Sequence, residues 1–404
     1  MERALYLSLW KEISEHKAMV FLAGPRQAGK TTLARMIADS FFTNRVYLNW
    51  DLDTHKRRLL EDPAFFEKAD RKDASKPLVI FDEIHKHRRW KNYLKGIYDQ
   101  FSAQYQFLVL GSGRLNLFQK GGDSLAGRYF LFTLWPLTLA ELAGRRRPHE
   151  AFLRDPLRVE GNPPAEPAWE QLARLSGFPE PYLSGKETVY RRWSRAYHQQ
   201  LIREDIRNMT GIRNIDDVET LFSLLPSRVG SPLSMDSLAR DLQVSFNSVR
   251  NWLELFERFF LTFRIPPWTR KVSRAITKEK KLYLCDCAGI LSEAAKFENM
   301  AALELLRAVS NWNDLGLADF TLHYVRTREK EEVDFLVARD GAPLLLVETK
   351  LSEEAAAKGL LKLQAQLRVP AVQLVNKPGV YRILSNGPQK ILVITASRWL
   401  AHLP

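Results

Sequence analysis

The sequence predicts an α/β chain in which a parallel-sheet domain is followed by a helical middle domain and a small mixed α/β domain. Three observations predict this order. Short apolar runs alternate with amphipathic helical patterns at first, an Arg- and Pro-rich stretch then interrupts the pattern, and two strand-like runs joined by Asp340-Gly341 come later. A chain of 404 residues is too long for one core, so we expect domains at 1–143, 144–268 and 269–404.

The first strand-like run, residues 19–23, leads into a loop bounded by two glycines. The spacing Gly24, four residues, Gly29-Lys30-Thr31 matches the P-loop pattern, and an amphipathic helical pattern follows from Thr32 to Ser40. In such a loop, backbone N–H groups surround a β-phosphate, the lysine reaches the β- and γ-phosphates, and the hydroxyl binds Mg²⁺. An ordinary glycine turn is the alternative. The predicted ATP-binding residues are Gly24, Pro25, Arg26, Gln27, Ala28, Gly29, Lys30, Thr31 and Thr32.

A second apolar run, KPLVIFDEIHK at residues 76–86, ends in two adjacent carboxylates. Parallel strands buried on both faces read as continuous apolar runs, and ligands gather at their carboxyl ends. The run therefore predicts a Walker B strand in which Asp82 holds Mg²⁺, directly or through water, and Glu83 is the general base for the attacking water. The alternative is a helix cap.

Two further strand-like runs, residues 45–53 and 106–112, and a helical pattern from Trp90 to Phe101 complete the predicted sheet domain. Four strands alternating with helices predict a parallel sheet with right-handed crossovers. Ser112 ends the last of these strands, where a sensor residue would contact the γ-phosphate. A plain turn residue is the alternative, because Gly-Ser-Gly is common in loops.

These motifs, together with SLAGRYFLFTLWPLTLAEL at residues 124–142, resemble a family of prokaryotic AAA-type P-loop ATPases with a C-terminal domain of uncharacterised function. The resemblance covers almost the whole chain and implies ATP and Mg²⁺ as ligands. It also implies a Gly-Arg pair, here Gly127 and Arg128, in which the arginine meets the phosphates in cis or from a neighbouring subunit. An arginine paired with a nearby carboxylate is the alternative. The sequence departs from the family at Gly113 and Arg114, beside the predicted sensor.

The middle domain contains a short helical pattern, a turn and a longer helical pattern that begins after Ser245. This is the helix-turn-helix layout of a winged-helix domain. In a DNA-binding protein the second helix enters the major groove, so its candidate base-facing residues are Asn247, Ser248, Arg250 and Asn251. A packing module inside an ATPase is the alternative.

The C-terminal hairpin places an acidic residue, Asp334, on one strand and Glu348 and Lys350 on one face of the next. A three-residue loop would put Asp334 across from Glu348, whereas a two-residue loop would put it across from Val347. Asp with Glu-x-Lys resembles the restriction-endonuclease-like PD-(D/E)xK core, in which two carboxylates bind Mg²⁺ and a lysine assists. Glu298 stands where that superfamily often adds another acid. A cross-strand salt bridge is the alternative.

The balance of 60 Lys and Arg over 47 Asp and Glu gives a net charge of +13. Such a surplus favours a DNA or RNA partner, with a well-solvated surface as the alternative. No apolar run approaches the roughly 18 residues that span a bilayer, so we expect no membrane partner. The chain has only two cysteines, Cys285 and Cys287, so we expect a location in the reducing cytoplasm.

Three functions remain open from the sequence. The first is a Mg²⁺-dependent ATPase whose hydrolysis switches the attached winged-helix and nuclease-like domains, alone or as an oligomer. The second is an ATP-gated, metal-dependent nuclease that uses Asp334, Glu348 and Lys350. The third is a non-catalytic module that binds nucleic acid or protein and holds nucleotide only as a structural ligand.

Overall fold

The computed structural model describes residues 1–111, 125–144, 147–161, 165–207, 214–269, 279–327, 329 and 331–404. The chain forms two compact units, Met1–Pro136 (the N-terminal unit) and Leu137–Pro404 (the C-terminal unit). The first predicted domain boundary, at 143/144, lies close to this division. The second, at 268/269, lies inside the C-terminal unit, between two strands that pair with each other.

The N-terminal unit alternates strands with helices. In chain order its elements are α1 (Ala4–His16), β1 (Met19–Ala23), α2 (Lys30–Phe41), β2 (Arg45–Asn49), α3 (Asp53–Glu61), β3 (Leu78–Asp82), α4 (Trp90–Phe101), β4 (Gln106–Leu110) and β5 (Phe130–Thr133). Within the described residues, five strands form a sheet in the order β2-β3-β4-β1-β5, and every neighbouring pair is parallel. The carboxyl ends of all five strands therefore lie along one edge.

The predicted parallel sheet is confirmed, with β5 added. The central strands β1, β3 and β4 are buried along their whole length, which explains their unbroken apolar sequences. Helix α4 buries Trp90, Leu94, Ile97 and Phe101, spaced as one helical face, in the core on this sheet. Helix α2 begins two residues earlier than predicted because Gly29, in the left-handed conformation at φ 95°, ends the loop directly before Lys30.

The C-terminal unit begins with short helices and ends in a mixed sheet. Its elements are α5 (Leu139–Leu142), α6 (His149–Arg154), α7 (Glu166–Leu175), α8 (Pro179–Ser184), α9 (Glu187–Gln200, continued by a π-helical turn at Leu201–Ile206), α10 (Ile215–Leu224), α11 (Met235–Asp241), α12 (Phe246–Arg258), β6 (Thr262–Ile265), β7 (Lys281–Leu284), α13 (Glu293–Asp314), β8 (Phe320–Arg326), β9 (Glu332–Arg339), β10 (Ala342–Lys350), α14 (Lys358–Leu367), β11 (Ala371–Val375), β12 (Tyr381–Asn386), β13 (Gln389–Thr395) and α15 (Ala396–Leu400).

Two sheets organise the described part of this unit. Strands β6 and β7 form an antiparallel pair directly after the helix-turn-helix α11–α12. The larger sheet has the strand order β12-β13-β11-β10-β9-β8, with parallel pairs at β10–β11 and β11–β13 and antiparallel pairs elsewhere. This is the helical middle region and mixed α/β end that the sequence predicts. Among the helices that the structure describes, none is both long and apolar enough to cross a bilayer.

Candidate functional site

The loop after β1 has a backbone that only particular residues tolerate. Gly24 has φ 145°, and a Cβ atom there would lie 2.2 Å from the carbonyl oxygen of Leu134. Gln27 and Gly29 adopt the left-handed conformation, with φ of 59° and 95°. Alternation of right- and left-handed residues turns successive N–H groups towards one concavity, which is how backbone binds phosphate. The loop and the N-terminus of α2 therefore fit the triphosphate that the sequence predicts.

Two predicted Mg²⁺ ligands meet beside this loop. The Thr31 hydroxyl donates a hydrogen bond to Oδ2 of Asp82 over 3.0 Å. The Tyr47 hydroxyl donates to the same oxygen over 2.7 Å. A hydroxyl and a carboxylate at a P-loop are the protein ligands that Mg²⁺ takes in such sites, so these residues fit the ion. Tyr47 was missed by the sequence analysis, although its place on β2, beside the strand of Asp82, was a usable signal.

Lys30 lies against the loop itself. Its ammonium donates to the carbonyl oxygens of Gly24 (3.1 Å) and Pro25 (2.6 Å). Burial lowers the pKa of Lys30 to about 8, against the opposing charges of Glu83 and Asp82. A phosphate oxygen is a stronger acceptor than a backbone carbonyl, so a bound triphosphate would take over these hydrogen bonds.

Glu83, the predicted general base, sits in a strained turn after β3. Its φ is 56°, a left-handed conformation that costs a non-glycine residue about 1–3 kcal/mol. The carboxylate contacts the Lys86 ammonium at 3.2 Å and the His85 ring at 3.6 Å. Lys86 also holds the Asp51 carboxylate at 2.6 Å. Lys86, His85 and Asp51 were not predicted. Lys86 and His85 follow Glu83 so closely that they read from sequence as ordinary surface, and Asp51 comes from a distant segment.

The remaining predicted ATP-site residues have different outcomes. Ser112, Gly113 and Arg114 lie outside the described residues. Arg128 donates through Nε to Asp99 at 2.6 Å and through a terminal nitrogen at 3.1 Å, which is the paired-carboxylate alternative. Strand β5 begins two residues later, level with Val20, so Arg128 lies at the amino edge of the sheet, opposite the P-loop. The contact of Arg128 with phosphates therefore stays a prediction for the phosphates bound by a neighbouring subunit.

The second helix of the helix-turn-helix presents a polar face. Ser245 caps α12 by accepting from the backbone N–H of Ser248 over 3.0 Å. Asn247, Arg250 and Asn251 are exposed and Ser248 is half-buried, whereas Val249, Trp252, Leu253 and Phe256 are buried. Gln243, in the turn, takes the left-handed conformation (φ 54°) that glycine often supplies there.

The C-terminal hairpin has a two-residue turn with the register of a three-residue loop. Asp340 and Gly341 have φ of 50° and 75°, as a type I′ turn requires. A bulge between Pro343 and Leu345 then shifts the pairing by one residue, so that Phe335 pairs with Val347. Asp334 consequently stands level with Glu348 and donates its backbone N–H to that carboxylate over 3.2 Å. Both loop predictions lacked this bulge.

Four acids converge here and form what we term the carboxylate cluster: Glu298, Glu332, Asp334 and Glu348. Lys350 contacts Glu348 at 2.8 Å. Lys281 was not predicted, and its ammonium lies 2.7 Å from Glu332, 3.1 Å from Glu298 and 3.4 Å from Asp334. The opening residues of β7, Lys-x-Tyr at the end of a basic run, carried no signal that they face acids on a distant helix and strand.

The electrostatics of the cluster are those of crowded acids around a fixed cation. Burial, with the neighbouring charge of Asp334, raises the pKa of both Glu298 and Glu348 to about 7. Burial alone would lower the pKa of Lys281, but Glu298, Asp334 and Glu332 outweigh it and raise that pKa above its ordinary value. Among the described residues, no group of three or more His, Cys, Asp or Glu side chains has an arrangement that would hold a metal ion. The predicted second Mg²⁺ site at Asp334 and Glu348 stays a prediction.

Family models match three segments of the chain. Residues 16–143, which include the P-loop, Asp82 and Glu83, match the model described as AAA domain. The N-terminal part of this chain is an AAA domain of the P-loop ATPase class. After the AAA domain, residues 166–301 match a domain of unknown function (DUF8612) and residues 294–396 match another (DUF4143). The AAA domain therefore precedes two regions whose families have no assigned activity.

Relatives of the chain occur in bacteria and archaea. An uncharacterized protein of Mycobacterium tuberculosis is 23% identical over 377 residues, which cover 91% of this chain and 78% of that protein. An uncharacterized protein of Methanocaldococcus jannaschii is 23% identical over 294 residues, covering 67% and 61%. Among solved structures, the Walker-type ATPase of Pyrococcus abyssi superposes with a TM-score of 0.44 at 15% identity, covering 70% of this chain and 93% of that one. The mycobacterial similarity extends beyond the AAA domain into the C-terminal unit.

Proposed function

We propose that this chain binds ATP with Mg²⁺ in its AAA domain and hydrolyses it. The observation that carries the proposal is the meeting of Thr31 with Asp82 over 3.0 Å, beside the half-buried side chain of Lys30 and at the carboxyl edge of the sheet. An ordinary glycine turn needs neither the carboxylate nor a lysine that donates to the loop carbonyls. Their convergence on the loop is what a nucleotide phosphate site requires.

Each residue has a separate task in the proposed reaction. The loop N–H groups and Lys30 bind and orient the β- and γ-phosphates, and Thr31 and Asp82 hold Mg²⁺, which when bound neutralises phosphate charge. Glu83 accepts the proton of the attacking water. The contact with Lys86 holds the Glu83 carboxylate in place at 3.2 Å. Ser112 as a γ-phosphate sensor and Arg128 of a neighbouring subunit as a further cation complete the proposed site.

Two substitutions separate binding from hydrolysis. Lys30→Ala removes the phosphate-binding ammonium, so we expect saturable ATP binding to be lost. Glu83→Gln keeps the shape of the side chain but removes the base, so ATP should still bind while phosphate release falls about 10²- to 10⁴-fold. Glu67→Gln, at an exposed carboxylate in the same unit, is the matched control and should leave both unchanged. The proposal fails if neither Lys30→Ala nor Glu83→Gln lowers phosphate release.

We further infer that the C-terminal unit carries the surface on which the hydrolysis cycle acts, and that this surface binds nucleic acid. The exposed side chains of Asn247, Arg250 and Asn251 at the start of α12 support this inference, as does the net charge of +13. In this proposal the region α11–β7 is a winged helix, with the β6–β7 pair as its wing. ATP turnover should then change when DNA or RNA is added.

The nucleic-acid inference is tested by two arginines on one helix. Arg250→Ala should weaken DNA retention, whereas Arg258→Ala, at the other end of α12 and 3.6 Å from Glu254, should not. Retention that vanishes by about 0.2 M salt and ignores sequence would indicate phosphate contacts rather than base reading. Equal retention by Arg250→Ala and the parent chain would contradict the inference. Saturable ATP binding without turnover would instead favour the third function, a binding module with structural nucleotide.

A further inference from the structure

We propose that Lys281 is the resident cation of the carboxylate cluster, so that the cluster clasps the β6–β7 hairpin to the larger sheet and does not take a divalent metal. The nuclease-like residues would then serve to fix the helix-turn-helix within the C-terminal unit. The proposal is independent of ATP hydrolysis, because no residue of the AAA domain enters it.

The Lys281 ammonium is matched to its surroundings. Its side chain is 1% exposed, and carboxylate oxygens of Glu332, Glu298 and Asp334 lie 2.7, 3.1 and 3.4 Å away. An ammonium has three donors and no acceptor, so three acids on three separate positions satisfy it completely. A buried lysine persists only with such compensation. The cluster therefore already contains the positive charge that buried acids require.

The carboxylate oxygens that a metal would need are also engaged. Oδ2 of Asp334 accepts from the backbone N–H and the hydroxyl of Thr349, over 3.0 and 2.6 Å. Glu348 accepts from the Asp334 N–H through one oxygen and pairs with Lys350 through the other. Mg²⁺ demands octahedral oxygen ligands at about 2.0–2.1 Å, so it would have to displace these donors as well as Lys281.

Backbone also approaches the cluster at Glu298. Gly230 has φ 76°, and a Cβ atom there would lie 2.9 Å from Oε2 of Glu298. The Gly230 N–H donates to the carbonyl of Leu282 on β7 over 3.0 Å, which fixes this approach. The other oxygen of Glu298 accepts from the Tyr283 hydroxyl over 2.8 Å. Glu298 thus contacts both the hairpin and the segment that precedes α11.

Lys281 and Tyr283, the two donors on β7, link the carboxylate cluster to the helix-turn-helix. Lys281 and Tyr283 are alternate residues of one strand and so share a face. Strand β7 pairs with β6, which begins four residues after α12 ends at Arg258. Holding β7 on the cluster therefore holds the end of the second helix of the helix-turn-helix.

Metal titration of the full chain tests the proposal. Without nucleotide, Mn²⁺ is titrated into five proteins, and the free ion is followed by electron paramagnetic resonance. These are the parent chain, Asp334→Asn, Lys281→Met, the double variant Lys281→Met/Asp334→Asn, and Lys362→Met. Lys362 pairs with Glu331 at the surface and is the matched control. We expect Lys281→Met to gain one Mn²⁺ per chain and the double variant to lose it. The parent and Lys362→Met should show no binding that depends on Asp334.

Three results would overturn the proposal. The first is Mn²⁺ binding by the parent chain that disappears in Asp334→Asn. The second is Mn²⁺-dependent nicking of DNA by the parent that Asp334→Ala or Glu348→Ala abolishes, which would establish the nuclease alternative. The third is a folded Lys281→Met chain that gains no ion. Because the first two comparisons leave Lys281 intact, they decide the question even if Lys281→Met does not fold.

Discussion

Gly24 is the position at which the P-loop depends most directly on the absence of a side chain. Replacing it with alanine would place a Cβ atom 2.2 Å from the carbonyl oxygen of Leu134, which belongs to backbone and has no rotamer to change. The N–H of the same residue, Leu134, donates a hydrogen bond to the carbonyl oxygen of Ala23 over 2.8 Å. Gly24→Ala must therefore push the end of β5 away from β1.

The cost follows from these contacts. Relieving an overpacked contact costs about 1–3 kcal/mol. The backbone at φ 145° lies in a region that is nearly restricted to glycine, which adds about 1–3 kcal/mol for alanine. Together these two effects should lower the free energy of unfolding by about 4 kcal/mol. A unit of this size loses about 3 °C in melting temperature per kcal/mol, so the N-terminal unit should melt about 12 °C lower.

Scanning calorimetry of the full chain measures this change, with ATP affinity measured in parallel because Gly24 also accepts a hydrogen bond from Lys30. Gly96→Ala is the matched control: Gly96 lies in α4 with nothing within 4 Å of its added Cβ, so the variant should be stabilised by about 0.5–1 kcal/mol. If Gly24→Ala melts within about 2 °C of the parent, less than the effect of 1 kcal/mol, the steric reasoning is refuted.

Three further predictions concern the C-terminal unit and are read by chemical denaturation. Asn299→Ala should lower the free energy of unfolding by about 3 kcal/mol. The buried side-chain amide of Asn299 accepts from the N–H of Leu284 over 2.7 Å and donates to its carbonyl over 2.8 Å, and both groups would lose a partner. Ser245→Ala removes the N-cap of α12 and should cost about 1 kcal/mol. Burial raises the pKa of Glu304 from 4.5 to about 7, so the folded chain binds an extra proton between these values. The free energy of unfolding should therefore fall as pH rises from 4.5 to 7, and Glu304→Gln should remove that part of the fall.

Exposed residues of the same types serve as controls. Asn92→Ala and Ser223→Ala should each change the free energy of unfolding by less than about 0.5 kcal/mol. Glu170→Gln should keep the pH dependence of the parent. Equal costs for Asn299→Ala and Asn92→Ala would contradict the role given to the buried amide. A pH dependence that Glu304→Gln leaves intact would assign the proton to another group.

The sequence predicted the AAA domain well because its signals are local. Helix α4 has the predicted ends, Trp90 and Phe101, since its apolar spacing is a property of the helix alone. The buried strands β1, β3 and β4 read directly as apolar runs. Strand β5 was missed because it is short and lies at the edge of the sheet, with only part of its length buried.

The candidate sites divide in the same way. Thr31 and Asp82 were predicted to share an ion because each belongs to a motif with a fixed place on a parallel sheet. Tyr47 was missed, because no motif covers a side chain that arrives from a neighbouring strand. In the C-terminal hairpin the register depended on a single bulge, and one residue of shift decides which face Asp334 occupies.

By itself the sequence determined the alternation of the first four strands with helices, the glycine-bounded loop and the acids that follow the second buried strand of the sheet. These depend on glycine conformations, strand burial and helix periodicity, which act over a few residues. Only the tertiary structure decided that Lys281 lies among Glu298, Glu332 and Asp334, since these residues come from three separate elements. Contacts between distant segments follow from packing and register, and the charge they bring together decides whether a set of acids holds a metal or a lysine.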